Sequence, residues 1–416
     1  MKPLILFLAL ILVLLLTLKI VFVLSVIHIS RRYRVPHGPL RARFGAQHAI
    51  DLVIVWYPQH HPHATPRGTQ YPRDTPTPRG TQYPHDTTLM PPKYTYGNHD
   101  ELKYLLRSVS MFAPWINKVH LVTSTETANS KTLKNSTSRG GSTNALPAWL
   151  QLTHPQLNIV DITTIMPPHL FDNAHSTRFN HTTPRICKPT ADSKSLLYST
   201  PIFNMHAVEA CLHKIPSLSE HYVYARKGMM FAAPTTSGDF FNTDGITSLL
   251  VSPVFKRPVP EVPGTKNSIH RNAWLNTYTA LEALDPTCNL PQYLLCPQIT
   301  ATSLTLAHQM ESVFAPLVRA TSESTLPRSG DIHPLGLQLY GGLCSGRVTV
   351  APHLPTMQYM DWSWDIDSVN KRRLKLVVKT RPQLLCVNNI GGSLKNVNIW
   401  YTFAETYYPV ASAFER

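Results

Sequence analysis

Two hydrophobic periods alternate along this chain. Residues 50–55, Ile50-Asp51-Leu52-Val53-Ile54-Val55, form a short and almost continuous apolar run, the pattern of a strand buried in a parallel sheet. Leu102, Leu105, Leu106, Val109 and Phe112 then recur at helical spacing, with Asn98 or Asp100 available near the start and Pro114 just past the end. Residues 119–122 and 157–160 read as further strands, and 222–225 as another β-prone run. Before that last run, Asn204 can cap a helix whose apolar side holds Val208, Cys211, Leu212 and Ile215. His206 and His213 stand seven apart on the same helix, a spacing expected of surface residues more than of metal ligands. Strands alternating with helices predict an α/β fold with a mostly parallel sheet.

The pattern breaks in three places. Residues 3–28 are almost wholly apolar, with Lys19 the single charge inside them. A membrane-spanning helix needs about 20 such residues, whereas a cleaved signal has an apolar core of about 7–15. Residues 1–30 are therefore expected to be a signal anchor, residues 31–48 a basic stalk, and the protein a single-pass type II membrane protein. Arg31, Arg32 and Arg34 follow the anchor and only Lys2 precedes it, which by charge would hold the following chain in the cytoplasm. The glycosylation sequons at Asn135 and Asn180 carry meaning only in a secretory lumen. The other two breaks are low-complexity insertions. Residues 60–92 hold a Pro-rich tandem repeat (65–76, then 77–87), and residues 124–144 are rich in Ser, Thr and Gly. Residues 49–416 otherwise form one module.

Charge narrows the partners. The 416 residues include 39 Lys+Arg against 24 Asp+Glu, a net +15, with 20 His besides. Such a balance suits nucleic acid, an anionic membrane surface or phosphorylated substrates. The charge is spread along the chain without a zinc finger, an RNA-binding aromatic signature or a basic helix, so a phosphate-bearing substrate is the better expectation than nucleic acid. Six cysteines, at 187, 211, 288, 296, 344 and 386, show no CxxC spacing, which speaks against a cysteine zinc site. Each reads first as a small buried hydrophobe, with disulfides open in an oxidising lumen.

Four blocks, in order, resemble the Stealth family of sugar-phosphate transferases. They begin with Ile50-Asp51-Leu52-Val53-Ile54-Val55-Trp56. Next come Asp100-Glu101-Leu102-Lys103-Tyr104-Leu105-Leu106-Arg107-Ser108 and Ile215-Pro216-Ser217-Leu218-Ser219-Glu220-His221. The third runs from His270-Arg271-Asn272 to Arg328-Ser329-Gly330-Asp331, and the fourth from Leu384-Leu385-Cys386-Val387-Asn388-Asn389 to Tyr408-Pro409-Val410-Ala411-Ser412-Ala413-Phe414-Glu415. The resemblance implies a Rossmann-like, nucleotide-sugar-transferase core. It implies transfer of a sugar-1-phosphate from a nucleotide-sugar donor to a hydroxyl of a glycan or glycoprotein acceptor, with Mg²⁺ as the usual ion. The family's eukaryotic members are lumenal, so it also implies a Golgi or secretory location with the module in the lumen. Several of the family's polar positions are changed: Tyr57-Pro58-Gln59 follows the first block, Arg226-Lys227-Gly228 replaces an Asn-Asp-Asp run, and Leu295-Cys296-Pro297 lacks a His. A catalytically inactive glycan- or nucleotide-binding protein is the alternative.

Ligands of open α/β sheets gather beyond the carboxyl ends of the strands, which directs attention to the turns after Trp56, Thr123 and Ala225. Exchanging two carboxylates for Arg226 and Lys227 swings the local charge by about four units and would repel Mg²⁺, so no metal ligands are assigned. Three readings of the pair stay open: direct phosphate binding, a site that has lost its chemistry, or two side chains in water. Arg328 with Ser329 matches the family's phosphate-contacting Arg-Ser, and a planar guanidinium suits phosphate. Arg271 and Asn272 match an Arg-Asn pair that contacts the donor or holds a loop. Asp51 orients a nucleotide or caps backbone donors. Glu209, on the same helix as Asn204, is the expected general base. Asp100 and Glu101 open a helix, where the dipole favours acids in any case.

Overall fold

Leu52 and Ile54 pack on one face of a sheet and Val53 and Val55 on the other, all buried, which is why this first strand carries no polar alternation. The computed structural model describes residues 48–56, 95–96, 99–123, 146–170, 204–258, 269–295, 298–350 and 356–416. The expected membrane span 3–28, the stalk up to residue 47, both low-complexity insertions, the sequons at Asn135 and Asn180, and Cys187 and Cys296 lie outside the described residues. Among the described residues no helix is long and apolar enough to cross a membrane.

The strands are β1 (Ile50–Val55), β2 (Thr95–Tyr96), β3 (Val119–Thr123), β4 (Leu157–Asp161), β5 (His221–Arg226), β6 (Met229–Phe231) and β7 (Thr247–Leu249). They continue with β8 (Val251–Lys256), β9 (Tyr293–Leu295), β10 (Thr300–Ser303), β11 (Val348–Val350), β12 (Met357–Asp361), β13 (Leu384–Asn388) and β14 (Gly391–Gly392). The helices are α1 (Glu101–Phe112), α2 (Met205–Glu209), α3 (Ile269–Leu284), α4 (Leu304–Val313), α5 (Ala315–Ser322), α6 (Pro334–Cys344), α7 (Asp367–Thr380) and α8 (Leu394–Tyr407). The expected strands and α1 are present, whereas the helix expected after Asn204 ends at Glu209, short of Cys211, Leu212 and Ile215. Asp100 does not cap α1, however: it sits at φ 59° and its side chain makes no capping bond.

The central sheet has the order β10-β5-β1-β3-β4. β5, β1, β3 and β4 run parallel, and only the edge strand β10 is antiparallel. The chain winds from β1 outward to β3 and β4, then returns to β5 on the other side of β1. The order therefore reverses between β1 and β5, the place where open α/β sheets bind ligands beyond their carboxyl ends.

Helices cover both faces. On one side α1, α8 and a small β12-β13-β6 sheet bury Tyr104, Phe231, Trp362, Trp400 and Tyr408. Arg107 of α1 clasps the carboxyl-terminal segment there: Nη2 lies 2.9 Å from Glu415 Oε2, and Nη1 donates to Glu405 at 2.9 Å and to the Tyr408 carbonyl at 3.0 Å. On the other side α2, α3, α4 and α6 pack around Trp274, Tyr278 and Tyr340. Cys211 and Cys386 are buried, as expected, and lie outside the disulfide. Cys288 and Cys344 depart from the hydrophobe expectation and form a disulfide with Cα atoms 5.4 Å apart.

Candidate active site

Arg226 is the last residue of β5 and lies in register with Val55, the last of β1, so it stands at the point where the strand order reverses. The reading that leaves Arg226 and Lys227 facing water is corrected by the structure. Arg226 Nη1 lies 3.6 Å from Oε1 of Glu209, which is 1% exposed, and Lys227 Nζ lies 3.2 Å from Oε1 of Glu101, also nearly buried. The two cations find acids on different helices, α2 and α1. They do not form one clamp. Glu101 accepts the His99 N–H at 2.6 Å as well, so its place in α1 serves a buried ion pair more than the helix dipole.

The turn itself is built around glycine. Gly228 has φ +83°, and a Cβ there would stand 2.2 Å from the Val387 carbonyl oxygen. Its own carbonyl accepts the Val387 N–H at 2.8 Å, locking β5 and β6 to β13. A carboxylate side chain has no room at this position. Mg²⁺ prefers a set of oxygen ligands, and the residues of this turn offer none: two are cations already paired to carboxylates and the third has no side chain. These residues do not fit the family's ion at this turn.

Glu209 is held by the Tyr224 hydroxyl, which donates to Oε1 at 2.9 Å, while its Oε2 is buried without a hydrogen-bond partner. Burial raises its pKa, and Arg226, Tyr224 and His270 partly oppose that rise. Such a carboxyl is poised to take up a proton nearer neutrality than an ordinary acid.

The opposite wall comes from the loop before α6. Asn204 accepts the His206 N–H at 3.1 Å, the cap expected from sequence, and donates to Asp331 at 2.8 Å. Asp331 also accepts the Arg328 backbone N–H at 2.9 Å. Asn276 of α3 donates to the carbonyls of Ser329 and Asp331, each at 2.8 Å. The Arg328-Ser329 corner is thereby tied to α2 and α3, with both residues exposed. Asn204, which the resemblance also places among the substrate-binding residues, is buried with both ends of its amide engaged and braces α2 against this loop. Arg271 and Asn272 lie in the first turn of α3, at the same end. A cavity of about 320 Å³ opens beside His270, with Lys256, Arg257, Arg271 and Trp274 in its lining.

Three histidines converge here. His206 follows Asn204, His270 is the second residue of α3, and His333 caps α6 by accepting the Gly336 N–H at 3.0 Å. The expectation that His206 and His213 decorate the surface is overturned, since both are buried. The helix that would have carried them on one face ends at Glu209, and a separate turn (Leu212–Lys214) carries His213. His213 instead bonds Glu311 at 2.8 Å. His270, His333, Asp331 and Tyr224 were not singled out by sequence, because no local spacing joins them.

Asp51 belongs elsewhere. It lies near the amino end of β1, paired across with Tyr222, about 13 Å along the strands from Arg226 at 3.3 Å per residue. It accepts from Asn117 at 2.9 Å and from the Ser219 N–H at 2.9 Å, and His120 lies at 3.0 Å. Burial acts to raise its pKa, yet these bonds from His120, Asn117 and Ser219 outweigh it and hold the carboxyl below its ordinary value. It accepts a backbone N–H, the geometry of the capping expectation, and lies at the end of the strands away from the turn after Ala225.

No family model matches the chain. Curated relatives do. An exopolysaccharide phosphotransferase of Streptomyces coelicolor is 28% identical over 326 residues, 77% of this chain and 46% of the relative. Exopolysaccharide phosphotransferase CpsY of Mycobacterium leprae is 25% identical over 332 residues, 76% of this chain and 49% of the relative. Capsular polysaccharide phosphotransferase LcbA of Neisseria meningitidis is 28% identical over 158 residues, 38% of this chain and 30% of the relative. The chain thus spans about half the length of the first two. Matched over three quarters of its length, with a parallel sheet whose reversal point holds the altered turn, this chain is a homologue of the exopolysaccharide and capsular polysaccharide phosphotransferases, the Stealth family.

Proposed function

We propose that the protein transfers a sugar-1-phosphate from a nucleotide-sugar donor to a glycan hydroxyl. The observation that carries this reading is the Arg226–Glu209 pair at the carboxyl end of β5, with the loop bearing Arg328 tied to the helix of Glu209 through Asp331 and Asn204, in a chain whose relatives are named polysaccharide phosphotransferases. In the reaction the acceptor oxygen forms a bond to the sugar-bearing phosphorus. The bridging P–O bond breaks, a nucleoside monophosphate leaves, and the acceptor proton passes to a base.

This chain's own groups supply what that step needs. Arg328 and Arg271, exposed at the rim, meet the donor's phosphate oxygens, where guanidinium forks give paired, charge-assisted bonds. Arg226, spanning the space between Glu209 and solvent, neutralises charge on the transferring group. Glu209 takes the acceptor proton, since its raised pKa lets it hold one. Ser329 adds a hydroxyl beside Arg328. Mg²⁺, the ion expected from the resemblance, enters no step.

The test is incubation of the purified chain with UDP- and GDP-sugars and oligosaccharide acceptors, reading nucleoside monophosphate release and acceptor mass. Turnover that does not rise on adding Mg²⁺ and falls in Arg328→Ala supports the reading. Thermal stabilisation by nucleotide without turnover would leave a binding protein. The location we propose is the secretory lumen behind a membrane anchor at residues 3–28, supported by the two sequons and by the Cys288–Cys344 disulfide. A glycosidase-sensitive mobility shift, lost in Asn135→Gln/Asn180→Gln, tests it. Its absence removes the lumenal placement.

A further inference from the structure

Three separate elements each deliver one imidazole to a single spot: His206 from α2, His270 from α3, His333 from the cap of α6. A coordinating nitrogen of each lies within 4.8 Å of the other two. The ring centroids stand 5.8 Å apart for His206 and His270, 5.3 Å for His206 and His333, and 5.6 Å for His270 and His333. We propose that His206, His270 and His333 bind a borderline divalent transition metal of the Zn²⁺ class, with a fourth coordination position left for an oxygen ligand.

The donor set chooses the ion. Imidazole nitrogens suit Zn²⁺, Co²⁺ and Cu²⁺, whereas Mg²⁺ takes oxygen. Three protein ligands plus an open position is the arrangement of zinc sites that admit a further ligand. His206 Nδ1 is buried without a hydrogen-bond partner, which leaves a polar atom unexplained by the apo chain.

The protonation states agree. Burial, with Arg226 adding to it, pushes His206 down to about 4, and burial holds His333 well below its ordinary value. His270 keeps an exposed edge and is lowered by desolvation of its ring, by His206 and by Arg226. Neutral imidazole is the form that coordinates a metal, so little proton release opposes uptake at neutral pH. His333 is oriented by stacking on Trp274, ring centroids 4.1 Å apart. Arg226 works against a dication here, and its pairing with Glu209, which also acts on His270, offsets that. One bond is exchanged on binding: the Gly336 N–H now occupies the lone pair of His333 Nδ1, and since a neutral imidazole has one such pair, coordination through either ring nitrogen gives up that cap.

The site does not depend on the transfer reading, and binding is measured without substrate. The chelator-stripped full chain is titrated with Co²⁺, following the visible d–d absorption, and then with Zn²⁺ as competitor. The expected result is one equivalent bound with four-coordinate intensity, displaced by Zn²⁺. His270→Ala, at an exposed helix end that leaves the fold intact by circular dichroism, should weaken binding at least 10-fold, at the low end of what lost metal-site partners cost. His308→Ala, in the separate His213-His308-Glu311 cluster, should leave binding unchanged. Absence of stoichiometric uptake overturns the proposal. So does uptake lost in His308→Ala and kept in His270→Ala.

Discussion

Arg226→Ala isolates the ion pair on which the altered turn rests. In the native chain Glu209 is 1% exposed and has Arg226 Nη1 at 3.6 Å as its cationic neighbour, the Tyr224 hydroxyl serving its Oε1 at 2.9 Å. Coulomb's law at that separation with an effective dielectric near 20 gives roughly 4–5 kcal/mol. The Arg226 side chain is 31% exposed, and solvent screening reduces the cost of truncation to about 1–3 kcal/mol. Adding Glu209→Gln removes the buried charge and should recover most of that loss, giving a coupling energy of about 1–2 kcal/mol in the double-mutant cycle. The linkage has a definite sign. The folded-state pKa of Glu209 is already raised above the ordinary 4.5, so its contribution is fully present below that value and is lost as pH climbs through the raised one. Removing Arg226 raises the pKa further, so the destabilisation of Arg226→Ala should shrink in acid and grow toward neutrality. Urea denaturation of the four proteins at pH 5 and pH 7.5 measures all of this. Equal destabilisation of Arg226→Ala and the double variant, with no pH dependence between them, would refute Arg226 as the counter-charge of Glu209.

Three further outcomes follow from the same structure. Gly228→Asp should destabilise by about 2 kcal/mol or more, because its Cβ meets the Val387 carbonyl at 2.2 Å and φ is +83°; a stable variant by thermal melting would refute the strained turn. Cys288→Ala/Cys344→Ala should cost about 2–4 kcal/mol, since the bridge closes a separation of 56 residues; chemical denaturation of oxidised and reduced protein measures it. Stability should fall as pH drops from 6.5 to 4, because the unfolded chain protonates its histidines in that window while His206, at about 4, resists. That single group is worth about 3 kcal/mol at most, and a melting temperature flat across the window would remove it.

The elements of this fold were legible because they depend on neighbours in the chain. Residues 50–55 are apolar on both faces since helices cover both sides of β1, and Leu102, Leu105, Leu106 and Val109 share a face because a helix repeats every 3.6 residues. The position of Asp51 was also open to reading: the second residue of a parallel strand lies at its amino end, away from the ligand side. The burial of His206 and His213 was not, because it turns on where a short helix stops, and boundaries are set by what packs around them.

Local pattern alone determined the strands at 50–55, 119–122, 157–160 and 222–225, the helix after Asp100, the cap at Asn204, the cationic turn after Ala225 and the family that the four blocks resemble. Tertiary structure decided the rest: that Arg226 and Lys227 part company to reach Glu209 and Glu101, that Gly228 leaves no space for an acid, and that residues 206, 270 and 333 meet. Periodicity travels along the backbone, whereas a charge is satisfied by whichever group the packed chain brings within a few ångströms of it, and that neighbour stands here as far as 308 residues away in sequence, as Glu415 does from Arg107.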